Sequence, residues 1–542
     1  MRMRQQLSRW SLVLLAVASM GAAESTSQLV DVVKSGDLAT AAALLKQRID
    51  VNVPESDGTT ALHWAAHHAD LAITEALIRA GANVNAANRY GIVPLVIASS
   101  SGNAATIEAL LNAGADPNAV TPEGEPALLL AARSGQVNAV KTLLAHGVPV
   151  NIKERSKGQT ALMWATAEGH PDVVELLVGA GAEVTERSTG GMSPLLFAVR
   201  AGDRRSVETL LKAGANINDA AADGSSAVTL AIMNTHYDLA VRLLDLGADP
   251  NAAIENRGAL LHVICYMRGH GWAYGFEGVR APDPSNKLDT LDVAKALLEH
   301  GADPNPRIQW KERFMERQGG DVRQPANFDY GRSWVSFVGA TPFWFSARAG
   351  DLPMMRLLAS QGADPRMPTV QGVTPLMAAA GWGFWAGETP GFSSEYNAFE
   401  AVKLAVELGN DINAVADYGN TPKETDSVVL LGRHFLDLSD ALGDMRWSGG
   451  TALHAAAFRG ANTIVRWLVD KGAKLDAKNK IGWLPVTVAG PIFEAATEKH
   501  QPQTVALLRT LMTEKGLAAL LPSETLHSVQ SQGRAALPSS NK

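Results

Sequence analysis

Two kinds of short apolar segment alternate along most of this chain. One is alanine-rich, as in A-L-H-W-A-A at 61–66 and A-L-M-W-A-T-A at 161–167. The other carries paired large aliphatics, as in I-T-E-A-L-I-R-A at 73–80, T-I-E-A-L-L-N-A at 106–113 and S-V-E-T-L-L-K-A at 206–213. Apolar residues three and four apart make one face of a helix, and the short runs predict pairs of short helices rather than long helices or strands. Glycines punctuate them. Gly58, Gly91, Gly124, Gly158, Gly191, Gly224 and Gly258 open successive units at steps of 33 or 34 residues. Thr60, Thr160 and Ser193 stand where a hydroxyl would cap the first helix. Pro194, Pro342 and Pro375 stand at its first turn, where a missing N–H costs nothing. Gly102, Gly135, Gly169 and Gly202 end that helix; Gly81, Gly114, Gly181, Gly214 and Gly247 close the second, each suited to a left-handed backbone. Self-similarity at such a period is the mark of a repeat array.

The letters that recur are G-x-T-P-L-H-x-A-A at the start of a unit and L-L-x-x-G-A-x-x-N at its end. Gly58-Thr59-Thr60-Ala61-Leu62-His63 and Leu110-Leu111-Asn112-Ala113-Gly114-Ala115-Asp116-Pro117-Asn118 carry them. The chain resembles the ankyrin-repeat family, of an exported, bacterial type. The resemblance implies an all-α solenoid of about 12 helix–turn–helix units, each too small to bury its apolar face alone. It assigns 24–57 to an N-terminal capping repeat, 58–257 to six regular repeats, 258–480 to four repeats with insertions and 481–515 to a degenerate C-terminal capping repeat. Residues 516–542 read as a disordered polar tail. The same resemblance places His63, His262 and His454 at a position whose side chain hydrogen-bonds within and between repeats. It also implies protein binding through finger tips and the concave face of the first helices, where Trp64, His68, Arg89, Tyr90, Glu123, Trp164, Arg200, Asp223 and Trp344 are expected.

The period breaks after Gly247. The next closing glycines are Gly301, Gly362, Gly409 and Gly472, which requires insertions near 269–289, 306–338, 383–396 and 420–449. The first and third fall between the two helices of a unit, the other two in fingers. Their composition is unlike that of spacers: 19 of the chain's aromatic residues lie between His262 and Phe399. Trp272, Trp310, Trp334, Trp344, Trp382 and Trp385 are among them, interspersed with Arg268, Arg307 and Arg313. Two readings stand side by side. The rings glue long loops onto the solenoid, or the inserts at 269–289, 306–338 and 383–396 meet as an aromatic-basic recognition surface, since Trp, Tyr and Arg dominate binding hot spots. The candidate binding residues are therefore Trp272, Trp310, Arg313, Trp334, Trp344, Trp382 and Trp385 in this region, with Trp64, Tyr90 and Trp164 in the regular repeats.

Charge and composition narrow the partner. The formal net charge is −7 and no long basic run occurs, so nucleic acid is not expected. A single cysteine, Cys265, excludes an intramolecular disulfide; it reads as a small buried hydrophobe. Arg2, Arg4 and Arg9 precede the apolar run Trp10–Ala18 and the small residues Gly21-Ala22-Ala23, the layout of a secretory signal peptide over 1–23. The alternative is an uncleaved anchor, but the run is short for a bilayer span. Cleavage removes three arginines and no acid, taking the charge from −7 to −10, and leaves no stable membrane span. His63 and His67 are four apart on a helix, yet His63 has a structural explanation and no metal is expected. Gly381–Gly387 lacks the Lys-Ser/Thr of a phosphate loop, no nucleophile elbow occurs, and no cofactor is expected. The leading reading is a periplasmic or secreted scaffold, monomeric and not an enzyme, that binds a protein partner. The competing readings are a small-ligand receptor or enzyme built from the inserts, and a structural spacer.

Overall fold

The computed structural model describes residues 28–47, 49–254, 258–270, 287–308, 339–382, 395–417, 448–480, 482–490, 492–494, 497–499 and 501–522. The expected signal peptide, most of each insertion and residues 523–542 of the expected tail lie outside them. The fold is an all-α repeat solenoid whose chain divides into two compact units, 1–231 and 232–542.

The first unit runs as helix pairs, from 28–34 with Leu38–Leu45, through Ala61–His67 with Leu71–Arg79 and Pro94–Ser101 with Ala104–Asn112. Ala127–Arg133 with Val137–Ala145, Ala161–Ala167 with Pro171–Gly179, and Pro194–Ala201 with Arg204–Lys212 follow. The first helices are short because glycine or a turn stops them at seven or eight residues: Gly102 and Gly202 cap them at φ 71° and 75°. Ala69 and Thr235 stand at the equivalent stop with φ 56° and 63°, a region side chains with a Cβ enter at a cost. Thr160 and Ser193 cap first helices as expected, accepting N–H bonds from Met163 and Leu196. Asp37, Asp70, Asn103 and Asp203 do the same for second helices. Leu77, Leu110, Leu143, Leu177 and Leu210 are wholly buried, one from each successive second helix. Each such side chain contributes about 1.5–3 kcal/mol on burial, and only a neighbouring repeat makes that burial complete.

The second unit continues with Tyr237–Asp245, then Leu260–His270 with Thr290–Glu299 and Pro342–Ala349 with Leu352–Ser360. Pro375–Ala380 with Glu395–Glu407, Ala452–Arg459 with Asn462–Asp470, and Pro485–Val488 with Pro502–Glu514 complete it. Two short antiparallel ladders, Ala253–Ile254 with Gly258–Ala259 and Ile492–Glu494 with Thr497–Lys499, are the strand pairs among the described residues. A 3-10 turn, Ala518–Leu520, opens the segment expected to be tail.

An asparagine ladder shows that the insertions leave the stacking of repeats intact. Asn85 donates its amide to the Gly114 carbonyl (2.9 Å) and accepts from the Asp116 N–H (2.9 Å). In the second unit Asn251 does this to Gly301 and Asp303, Asn305 to Gly362 and Asp364, and Asn413 to Gly472 and Lys474, at 2.7–3.1 Å. The amide-to-glycine bond spans 29 residues in one case and 57 in another, so the units on either side of the extra chain keep their regular spacing. The finger insertions share a graft point. In a regular finger the Asn88 N–H bonds the Ile92 carbonyl (3.0 Å) and the Gly91 N–H returns to Asn88 (2.8 Å). Ile308 with Gly339 and Ala340, and Ala416 with Gly449 and Gly450, repeat this pattern at 2.6–3.0 Å. The finger bases that flank residues 309–338 and 418–447 in the chain thus keep the regular hydrogen bonding.

Candidate functional site

The first helices of the first unit present a column of large apolar side chains, three of them aromatic. Trp64, Ile97, Leu130, Trp164 and Phe197 each stand fourth in their helix. Trp64 and Trp164 are half-buried and Phe197 is buried. Cations lie over three of these rings: Lys34 at 4.7 Å from Trp64, Arg133 at 5.2 Å from Trp164 and Arg200 at 5.0 Å from Phe197. At a finger tip Tyr90 is 61% exposed with Arg89 at 5.8 Å. His67 and His68 crowd Trp64, His68 stacked on it at 6.3 Å. Large aromatic rings held by cations at an accessible edge are the kind of group that anchors protein interfaces.

The histidine position is structural. The Thr60 N–H donates to His63 Nδ1 (3.1 Å), which leaves the ring proton on Nε2 to donate to the Ile92 carbonyl of the next repeat (3.0 Å). His454 bonds Thr451 and Trp483 in the same way, and His262 bonds Ala259 and Ala340. Burial holds all three rings neutral, lowering His63 and pushing His262 and His454 down to about 4.

That geometry corrects one expectation. Trp344 does not lie on the first-helix surface; it is fully buried. In T-P-F-W-F it occupies the histidine position, and its indole N–H donates to the Val373 carbonyl at 3.0 Å. The bond spans 29 residues, as His63 to Ile92 does. An indole donor has replaced an imidazole donor, and the column residue of that helix is Phe345. Trp382 is likewise fully buried, immediately after the left-handed Gly381 that ends Pro375–Ala380. Arg268 and Arg307, read from sequence among the insert cations, serve the framework. Arg268 pairs with the buried Asp351 (2.5 and 3.0 Å) and with Thr290 (2.8 Å). Arg307 donates to the carbonyls of Gly339 and Pro368 at 3.0 and 2.7 Å. Trp272, Trp310, Arg313, Trp334 and Trp385 lie outside the described residues, and so does the proposed meeting of the inserts. Cys265 is buried and free, accepting a bond from Ser346 Oγ at 3.3 Å, and burial pushes its thiol up to about 12. Among the described residues no cluster of three His, Cys, Asp or Glu side chains has metal-binding geometry, and no helix is long and apolar enough to cross a membrane.

Comparison with known families bears on what this framework is. The family described as "Ankyrin repeats (3 copies)" matches residues 29–121, 95–188 and 185–254, and the single "Ankyrin repeat" family matches 448–480. The chain is an ankyrin-repeat protein, and arrays of this type are protein–protein interaction scaffolds. Among solved structures, the human ASB11 ankyrin repeat domain is 29% identical over 38% of this chain and 90% of its own, with a TM-score of 0.35. No curated protein matches the chain.

Proposed function

We propose that this protein is an exported ankyrin-repeat scaffold that binds another protein through its finger tips, its first-helix face and its aromatic-rich insert region, and that it does no catalysis. One observation carries the reading. In the first unit Trp64 and Trp164 on first helices and Tyr90 at a finger tip stay partly or largely exposed, each beside a cation. In the second unit the equivalent positions Val263, Phe345, Ala378 and Ala455 are buried. The accessible first-helix tryptophans therefore lie in residues 58–231; the second unit carries accessible rings on second helices, at Tyr396 and Trp467. The basic start of the chain, the short apolar run Trp10–Ala18 and the small residues before Glu24 support export to the periplasm or beyond.

The test is capture of partners from the exported fraction with the full mature chain as bait. A triple variant, Trp64→Ala, Tyr90→Ala and Trp164→Ala, is expected to lose the captured protein while keeping a cooperative melting transition. Equal capture by the variant would move the interface elsewhere. The same preparation reports processing: the native N-terminus is expected near Glu24, and retention of Met1 would rule out cleavage.

A further inference from the structure

Two of the ring sites in the first unit are built on one plan, and one of them lacks a part. At the first, Lys34 lies over the Trp64 ring, and Glu55 closes the arrangement. Its carboxylate accepts from Lys34 Nζ (2.9 Å) and from the Trp64 indole N–H (3.1 Å). Glu55 begins the tip turn of its finger: its own N–H bonds Thr59 and the Gly58 N–H returns to it. At the second, Arg133 lies over the Trp164 ring, and Glu154 begins the equivalent turn, its N–H bonding Gln159. This turn, Glu154 to Gly158, is one residue longer than Glu55 to Gly58.

The extra residue redirects the carboxylate. Glu154 folds back into its own turn and accepts from the N–H groups of Ser156 (2.6 Å), Lys157 (2.7 Å) and Gln159 (3.0 Å) and from Ser156 Oγ (2.8 Å). Burial opposes its charge, yet these bonds outweigh burial and hold the carboxyl below its ordinary range. Four donors thus hold Glu154 in its turn. The Trp164 indole nitrogen is left enclosed with no hydrogen-bond partner among the described residues, a donor whose desolvation nothing offsets. Arg133 has a long contact to Glu125, 3.6 Å, and keeps over a third of its side chain exposed. Arg155 and Lys157, exposed on the same turn, make no ion pair among the described residues.

We propose that Trp164 and Arg133 form a carboxylate-binding site that takes an aspartate or glutamate side chain of the partner protein. The ligand carboxylate does in trans what Glu55 does in cis: it accepts the indole N–H with one oxygen and pairs with the cation over the ring with the other. It enters by displacing a neighbouring side chain. This deepens the scaffold reading and rests on it for the source of the carboxylate.

Hexaglutamate serves as the probe and hexaglutamine as its neutral control, each titrated against the full mature chain while the tryptophan indole N–H resonances are followed. Trp164→Phe assigns the resonance and keeps the ring. The Trp164 signal is expected to move downfield with hexaglutamate and to stay still with hexaglutamine. Trp164→Phe and Arg133→Gln are each expected to weaken hexaglutamate binding by about tenfold or more, one charge-assisted bond's worth, with melting unchanged. An unmoved Trp164 signal, an equal shift with hexaglutamine, or unchanged affinity in Trp164→Phe would overturn the site. The capture experiment is read separately: a partner still held by Trp164→Phe would leave the scaffold standing and remove this carboxylate site from it.

Discussion

At the scale of single residues, Trp344 shows how a repeat tolerates an unusual letter when its one essential bond is kept. The position needs a donor aimed at the carbonyl 29 residues on, and both indole and imidazole supply it. Trp344→Phe keeps most of the volume and orphans the Val373 carbonyl, so it is expected to destabilise by about 1–3 kcal/mol; a denaturant midpoint unchanged from the parent would show that the bond carries nothing. The exchange was legible in sequence, because Thr341-Pro342-Phe343-Trp344 stands in the same register as Thr60-Ala61-Leu62-His63, with Trp344 three residues after the capping threonine as His63 is. Reading Trp344 as a surface anchor followed its residue type instead of its register. The Trp164 site was less legible. The 34-residue step from Gly124 to Gly158 announces the extra turn residue, but only coordinates show Glu154 consumed by that turn.

At the scale of elements, helix pairs, caps and closing glycines were readable because each depends on residues a few places apart. The finger grafts were not, because the pairing of Ile308 with Ala340 closes over a long stretch of unrelated sequence. Their common base makes a prediction. Replacing 309–338 with a two-residue tip copied from Arg89-Tyr90 is expected to leave the fold and the Asn305–Gly362 step of the ladder in place, with a melting temperature within a few degrees of the parent; loss of cooperative unfolding would show that the insert is part of the stack. The bridging histidines make another. His262 and His454 are neutral in the fold, with values pushed down to about 4 by burial, while the unfolded chain protonates them near 6.5. The unfolded state therefore binds more protons between those limits. The stability they provide is complete above about pH 6.5 and is lost as pH falls toward 4, at up to about 1.4 kcal/mol per pH unit for each ring. Denaturation curves at pH 7.5, 6 and 5 are expected to step downward, and the histidine-to-glutamine pair variant is expected to flatten that slope; an unchanged slope in the variant would place the pH dependence elsewhere.

At the scale of the whole molecule, the protein is a repeat array in which two first helices of the first unit keep a tryptophan partly accessible, at Trp64 and Trp164, while the equivalent positions of the second unit are buried. The central claim is that the accessible set in residues 58–231 is where a protein partner docks. Hydrogen exchange of the mature chain, free and bound to its captured partner, tests this most directly. The account predicts protection on the finger tips around Tyr90 and Arg155 and on the helices Ala61–His67 and Ala161–Ala167. Protection confined to the second helices Leu71–Arg79, Ala104–Asn112 and Pro171–Gly179, with those tips and first helices exchanging as in the free protein, would contradict it.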